Sequence, residues 1–272
     1  MAEKPPGLDN LKLWMKLNDT IERGGDNPQP VINEVGDNGA FYGVPEGDQS
    51  PVSISSGNPP YLNGAFNFSN DIDQYITVPD SAALSITGDL SVSFWMWKDS
   101  NASYEAIAKG ETDGQRSYMV DTWENQRIVF YITPDGTQAN REYCVTNTGA
   151  YSDQTWVHVV VTYDADGDSG NGFMRCYIDG TEVTFQANKT GTLPSSIHDS
   201  TEDLKVGIWV NGRYWDGKLD NIMIFNKILT QDEVNWLYNG GNGRESPIAG
   251  IARPLVGGSL TSSSLVGKGL AR

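Results

Sequence analysis

Histidine, cysteine, positive charge and long apolar runs are all scarce in this chain, and each scarcity removes a class of function. The two histidines are His158 and His198, and no Gly-x-Ser-x-Gly elbow accompanies them, so a Ser-His-Asp hydrolase has no support. The two cysteines, Cys144 and Cys176, each lie in a strand-like stretch. Cys176 shares a face with Met174 and Ile178, which makes a buried free thiol its expected state, while pairing of the two is left open. Lys and Arg number 19 against 35 Asp and Glu, a formal net charge of −16, and such a polyanion repels nucleic acid and anionic membrane surfaces. No run approaches transmembrane length, and the opening residues 1–7 lack the apolar core of ~7–15 residues that a secretion signal needs. The expectation is a chain without membrane insertion or signal peptide.

What is abundant is turn chemistry and aromatic side chains. Thirty glycines, 10% aromatic residues and only 20% charged residues suit a turn-rich β protein, because glycine supplies the positive φ of tight turns. A length of 272 residues accommodates one large β domain of roughly 200–250 residues. Period-2 alternation in Leu11-Lys-Leu-Trp-Met-Lys-Leu17 puts Leu11, Leu13, Met15 and Leu17 on one face of a first strand. Further strands are predicted at 65–68, 74–78, 90–97, 106–109, 117–120, 127–132 and 142–146, followed by those of the second half, about a dozen in all. One helix is predicted in Leu229-Thr-Gln-Asp-Glu-Val-Asn-Trp-Leu-Tyr238, where Thr230 and Glu233 form a capping box and Gly240-Gly241 ends it.

Three regions follow: an N-terminal arm (1–10), a β domain (11–240) and a tail (241–272). Residues 18–63 read as one long loop, dense in Gly, Asp, Asn and Pro, with apolar islands at Val31-Ile32 and Ala40-Phe-Tyr42. A loop of that length usually has a function or a ligand to support it. From Arg244 onward the chain is Gly/Ser-rich and basic, yet Ile248, Ile251, Leu255, Val256, Leu260, Leu265, Val266 and Leu270 make it more apolar than a solvated linker. Docking of this tail on a neighbouring subunit is the expectation.

The second half carries short motifs in fixed order. They are Trp156-Val-His-Val-Val-Val-Thr-Tyr-Asp164, Cys176-Tyr-Ile-Asp-Gly180, Gly217-Lys-Leu-Asp-Asn221 and Leu229-Thr-Gln-Asp-Glu-Val234, preceded by Gly64-Ala-Phe-Asn-Phe68, Tyr75-Ile-Thr-Val-Pro79 and Leu90-Ser-Val-Ser-Phe-Trp95. This ordered set resembles laminin-G-like, concanavalin A-like jelly-roll domains related to pentraxins and to carbohydrate-binding modules, over about Leu11 to Asn239. The resemblance implies an all-β, two-sheet antiparallel jelly-roll sandwich with one short C-terminal helix and an extended tail. It also implies a frequent calcium ion, and ligands that range from glycans to proteins, with some members serving as pieces of phage and viral particles.

Calcium takes six to eight oxygens from carboxylates and carbonyls. Asp220 is the first ligand to expect, because related jelly rolls use an Asp there beside a backbone carbonyl from the segment of Gly64. Asn18 and Asp19, at the end of the first strand, are expected to complete the set. Asp164-Ala-Asp-Gly-Asp168 looks like the opening of an EF-hand loop, but Arg175 stands where its closing glutamate belongs, so the run is read as a hairpin turn. For sugars, exposed aromatics beside polar side chains are the expected platform. The candidates are Trp97, which alternation places on one face with Ser93 and Trp95, and the turn-associated Trp123, Trp209, Asn211, Arg213, Tyr214 and Trp215. Trp95 and Trp156 fit framework positions. The Glu-x-Asp-x-(x)-Glu strand signature of retaining jelly-roll glycosidases does not occur.

The expected function is therefore non-enzymatic: a virion structural or display protein, a head decoration or tail-fibre component, with a lectin-like jelly roll and a tail that docks on other virion or assembly subunits. Its expected location is a virion surface or the extracellular space. The alternatives are a secreted or surface calcium-dependent carbohydrate-binding module, and a diverged glycoside hydrolase or lyase. A glycan partner and a homo-oligomer are left open.

Overall fold

The computed structural model describes residues 6–18, 28–42, 64–69, 73–168, 171–187, 193–209 and 212–245. Among these, eighteen strands form, in chain order. The first nine are β1 (Leu11–Met15), β2 (Gln29–Val31), β3 (Gly39–Tyr42), β4 (Phe66–Phe68), β5 (Tyr75–Val78), β6 (Leu90–Lys98), β7 (Tyr104–Lys109), β8 (Tyr118–Trp123) and β9 (Arg127–Ile132). The rest are β10 (Glu142–Thr146), β11 (Trp156–Asp168), β12 (Asn171–Ile178), β13 (Thr181–Val183), β14 (Phe185–Ala187), β15 (Leu204–Val206), β16 (Ile208–Trp209), β17 (Arg213–Tyr214) and β18 (Gly217–Phe225). Helix α1 (Gln231–Tyr238) follows.

Two antiparallel sheets make the sandwich. One has seven strands in the order β1-β18-β6-β11-β12-β13, with β4 also pairing β18; the other has nine, β14-β10-β9-β8-β7-β15-β5-β3-β2. Strands β16 and β17 form a separate hairpin packed near β7. The core lies between the sheets because alternate residues of each strand point inward. Val92, Phe94 and Met96 of β6 meet Tyr118 and Val120 of β8 and Ile128, Phe130 and Ile132 of β9, all buried. Cys144 and Cys176 are both buried free thiols within this core.

The outer face of the seven-stranded sheet is closed by α1. Thr230 Oγ1 accepts from the Glu233 amide while Glu233 Oε2 accepts from the Thr230 amide, the capping box predicted from sequence, and Asn239 ends the helix at φ 51° ahead of Gly240. Val234 and Leu237 then bury against Trp14, Val160, Tyr177 and Met223. That packing takes the whole centre of this face away from solvent.

Two local readings need correction. The apolar islands of the presumed 18–63 loop are strands β2 and β3, which extend the edge of the nine-stranded sheet through β5. Short strands of three and four residues interrupted by Pro and Gly carry too little periodicity to stand out in sequence. The acidic run Asp164–Asp168 is the end of β11, not the turn itself; Asp164 Oδ1 accepts from the amides of Asp166 and Gly167 at 3.1 and 2.8 Å, and the ladder to β12 slips at this point. The tail beyond residue 245 lies outside the described residues.

Candidate functional site

Strand β8 puts Tyr118, Val120 and Thr122 inward, which leaves Met119, Asp121 and Trp123 on the outer face of the nine-stranded sheet. Across the ladder, Asp121 is in register with Glu105 on one side and Val129 on the other, Met119 with Tyr131, and Tyr131 with Tyr143. A small aromatic cluster results: Trp123 lies 6.3 Å from Tyr131 and 5.6 Å from Tyr143, with Tyr131 and Tyr143 5.1 Å apart. Arginines lie over two of these rings, Arg127 at 5.0 Å from Trp123 and Arg141 at 4.2 Å from Tyr131.

At the centre are two acids that face each other. Glu105 and Asp121 are 2% and 6% exposed, and neither Glu105 oxygen nor Asp121 Oδ1 has a hydrogen-bond donor among the described residues when both are ionised. Two carboxylates only accept, so a proton between them supplies the missing donor. Burial pushes Glu105 well above the ordinary carboxylate range, and the neighbouring Asp121 adds to it. Burial likewise raises Asp121, while Glu105, Arg141, Tyr131 and Arg213 pull in the other direction. The pair borders a cavity of about 20 Å³ that Trp123, Tyr104 and the exposed Arg213 also line, room for one water-sized polar group.

Further along the same face, Tyr42 stacks on Tyr75 at 5.0 Å and 8°, and Tyr75 lies 6.2 Å from Tyr214. Beside this ladder Lys205 pairs with Glu111 at 2.7 Å. Hairpin β16–β17 delivers Arg213 and Tyr214 from one segment to both parts of the face.

The sugar candidates from sequence therefore separate. Trp123, Arg213 and Tyr214 share this face. Trp97 points away from the core, on the face opposite Val92, Phe94 and Met96, but from the seven-stranded sheet on the opposite side of the sandwich. It is half-buried there, edge-on to Trp156 at 6.2 Å, with Lys218 Nζ 4.3 Å over its ring and its own N–H donated to Asp99. Trp215 must be withdrawn as a ligand: it is fully buried in the core, 6.2 Å from Tyr104, because the residue after Tyr214 points inward. Trp209 pairs with Arg213 through its backbone, while its side chain and Asn211 lie outside the described residues. Glu105 and Asp121 were missed because the predicted strands at 106–109 and 117–120 stopped short of them. The available signal was Met119, Asp121 and Trp123 at period 2.

A second cluster surrounds Asp220. Strand β18 is flanked on one edge by β1, whose ladder reaches Met15 opposite Ile222, and by β4, whose ladder reaches Phe66 opposite Leu219. The two partners leave a gap at Asp220 and Asn221. Continuing the β4 register brings Gly64 opposite Asn221, and Asn18 follows just after the end of β1. Asp220 is fully buried; its Oδ1 accepts the Asn221 amide at 2.7 Å and its Oδ2 has no partner among the described residues. Asn18 Oδ1 is also buried without a partner among the described residues, and its Nδ2 donates to Glu245 at 2.8 Å. Burial, then the charge of Glu245, hold Asp220 well above the usual carboxylate range. No group of three or more His, Cys, Asp or Glu side chains gathers among the described residues, so the donors here are two carboxylates plus amide and carbonyl oxygens. That is an oxygen set suited to a hard cation. Asp19 lies outside the described residues.

Ser93 Oγ and His158 Nε2 lie 3.0 Å apart. His158 is 1% exposed, tilted against Trp95 at 5.0 Å and stacked on Tyr238 at 5.9 Å, and burial lowers its pKa to about 3.

A comparison with curated protein sequences finds no match. Among solved structures, the chain is similar to a botulinum neurotoxin type C structure whose cell entry is described as dependent on two ganglioside molecules, at 18% identity and TM-score 0.56, covering 85% of this chain and 51% of that one. It is also similar to the binding domain of Paraclostridial Mosquitocidal Protein 1, at 15% identity and TM-score 0.57, covering 86% and 52%. A third is the binding domain of botulinum neurotoxin DC in complex with SialylT, at 15% identity and TM-score 0.55, covering 85% and 51%. The chain spans about half the length of these structures, and identities this low establish the fold they share. The family model described as Laminin_G_3, concanavalin A-like lectin/glucanases superfamily, matches residues 68–235, more than half of the 272. With its two antiparallel sheets and ordered motifs, the chain belongs to the laminin-G-like group of the concanavalin A-like lectin/glucanase superfamily.

Proposed function

We propose that this chain is a non-enzymatic, lectin-like glycan-binding module whose recognition surface is the outer face of the nine-stranded sheet. One observation carries the reading: Trp123, Tyr104 and Arg213 line a cavity at the buried carboxyl pair Glu105 and Asp121, and Tyr143 packs on Trp123 beside it. Aromatic faces cover the apolar side of a pyranose, while arginines and carboxyls bind its hydroxyls. The similar toxin structures, one dependent on two gangliosides for cell entry and one in complex with SialylT, support the class of ligand and are about twice as long as the matched part.

Binding is favoured over hydrolysis by the placement of the acids. Cross-strand partners have Cβ atoms ~4.5–5.5 Å apart, and acids that share a proton leave no room for a glycosidic bond between them, whereas retaining enzymes hold their carboxyls ~5–5.5 Å apart and inverting ones further.

Calcium is proposed as a structural ion in the Asp220 cradle, with Asn18 and the Gly64 segment as further oxygen donors. When bound it supplies positive charge to neutralise Asp220 and Glu245; the chain's own residues do the orienting. The virion or assembly role stays a proposal that rests on the composition of residues 246–272, as does localisation outside the cell.

The experiment is a glycan array on the whole chain, with and without chelator, repeated for Trp123→Ala, Arg213→Ala and Trp97→Ala. Loss of signal in the first two with retention in the third is expected. Equal binding by Trp123→Ala and the parent would place the site elsewhere.

A further inference from the structure

We infer that Glu245 is a ligand of the Asp220 cation site, so that occupancy of the site fastens the root of the C-terminal tail to the domain. The inference rests on the calcium reading above and goes beyond it, to the segment that follows the jelly roll.

Residues 244 and 245 do not leave the domain freely. The Arg244 carbonyl accepts from Asn221 Nδ2 at 2.8 Å, and Arg244 Nε donates to the Trp236 carbonyl at 2.7 Å with its guanidinium 4.8 Å over that indole. These bonds aim Glu245 into the gap between β1 and β4, where it is 7% exposed and receives the Asn18 Nδ2 donor. It thereby enters the same gap as Asp220, whose neighbour Asn221 holds the Arg244 carbonyl.

Placing a second carboxylate beside a fully buried one is costly unless something positive lies between them. Asp220 is fully buried, and among the described residues the bond to its carboxylate is the Asn221 amide on Oδ1. Meanwhile two oxygens, Asp220 Oδ2 and Asn18 Oδ1, are buried with no hydrogen bond among the described residues. Oxygens from three segments far apart in sequence, at 18, 220 and 245, line the same gap. A divalent cation there satisfies the orphan oxygens and cancels both charges. Without it, the repulsion between Asp220 and Glu245 weakens the hold on residues 244 and 245. The cation thus governs how firmly this segment is fastened to the domain.

Trp14 provides the probe, because its indole N–H bonds Asn221 Oδ1 at 2.8 Å beside the cradle. In the full chain, Tb³⁺ luminescence excited through tryptophan measures occupancy, and calcium competes it away. Trypsin cleavage after Arg244, followed by intact mass, measures release of the tail root. Calcium is expected to slow that cut at least tenfold relative to chelator in the parent, a comparison that needs no variant. Glu245→Gln is expected to weaken Tb³⁺ binding at least tenfold and to remove the calcium protection. If the parent shows no calcium-competed Tb³⁺ signal, the cation reading fails and takes this inference with it. If parent and Glu245→Gln bind Tb³⁺ equally, or calcium does not protect Arg244 in a parent that binds Tb³⁺, the cation reading stands and this inference is overturned.

Discussion

Glu105→Gln tests the shared-proton pair directly. Burial pushes Asp121 up to about 7 from an ordinary 3.8, and at about 1.36 kcal/mol per pH unit that gap caps its effect on stability at about 4 kcal/mol. The sign follows from proton counting. Between pH 4 and 7 the folded chain keeps a proton that the unfolded chain has released, so stability falls as pH rises, and it is flat once the folded pair has also titrated. For a domain of this size about 2–4 °C of Tm corresponds to 1 kcal/mol, which makes the fall roughly 8–16 °C between pH 4 and 8. A glutamine at 105 donates its amide N–H to Asp121 in place of the shared proton and returns Asp121 toward the ordinary range. The variant is therefore expected to melt above the parent at pH 8, and at or below it at pH 4. Thermal melts by circular dichroism in saturating calcium, with the difference between the two proteins plotted against pH, isolate the pair, since Asp220, Glu245 and the neighbouring Arg141, Arg213 and Glu111 are common to both. A difference that stays constant from pH 4 to 8 would refute the reasoning.

Other outcomes follow from the same structure. Removal of calcium is expected to lower Tm by roughly 5–11 °C when the ion had been present at about 100 times its Kd, through a linkage of about 2.7 kcal/mol, and Asp220→Asn should erase that response. Lys98 is 1% exposed with Nζ 3.2 Å from the Tyr151 hydroxyl, and burial lowers its pKa to about 8 from 10.5. Below pH 8 its charge costs at most about 3 kcal/mol, a cost relieved as pH rises toward 10.5; Lys98→Met should therefore raise Tm at pH 7, with the gain shrinking by pH 10.5 in matched melts. Leu237→Ala, which empties the contact of α1 with the seven-stranded sheet, is expected to cost about 2–5 kcal/mol in urea unfolding without changing glycan binding. An equal loss of binding would mean that the helix contributes to the site.

Legibility in sequence tracked how local the cause was. The alternation that separates Trp97, Trp95 and Ser93 from Val92, Phe94 and Met96 and the Thr230–Glu233 capping box each depend on residues within one turn or one strand, and both occur. The ordered motifs around Trp156, Gly180 and Asp220 sufficed for the two-sheet class because a jelly roll requires the same apolar spacing in whichever member carries it. Trp123, Arg213 and Tyr214 could be picked from their turns, but Trp97 and Trp215 could not be told from them: period 2 says that neighbours face opposite ways, not which sheet or which side is open.

Only the tertiary structure brought Glu105 to Asp121, because their pairing depends on the register of β7 against β8. Only it showed that Glu245, 227 residues from Asn18, returns to share its cradle. Sequence by itself determined the scaffold, since period and capping are short-range properties of the chain. Chain packing decided the chemistry, since a buried acid is ordinary or perturbed according to what stands across from it, and that neighbour is set by the fold.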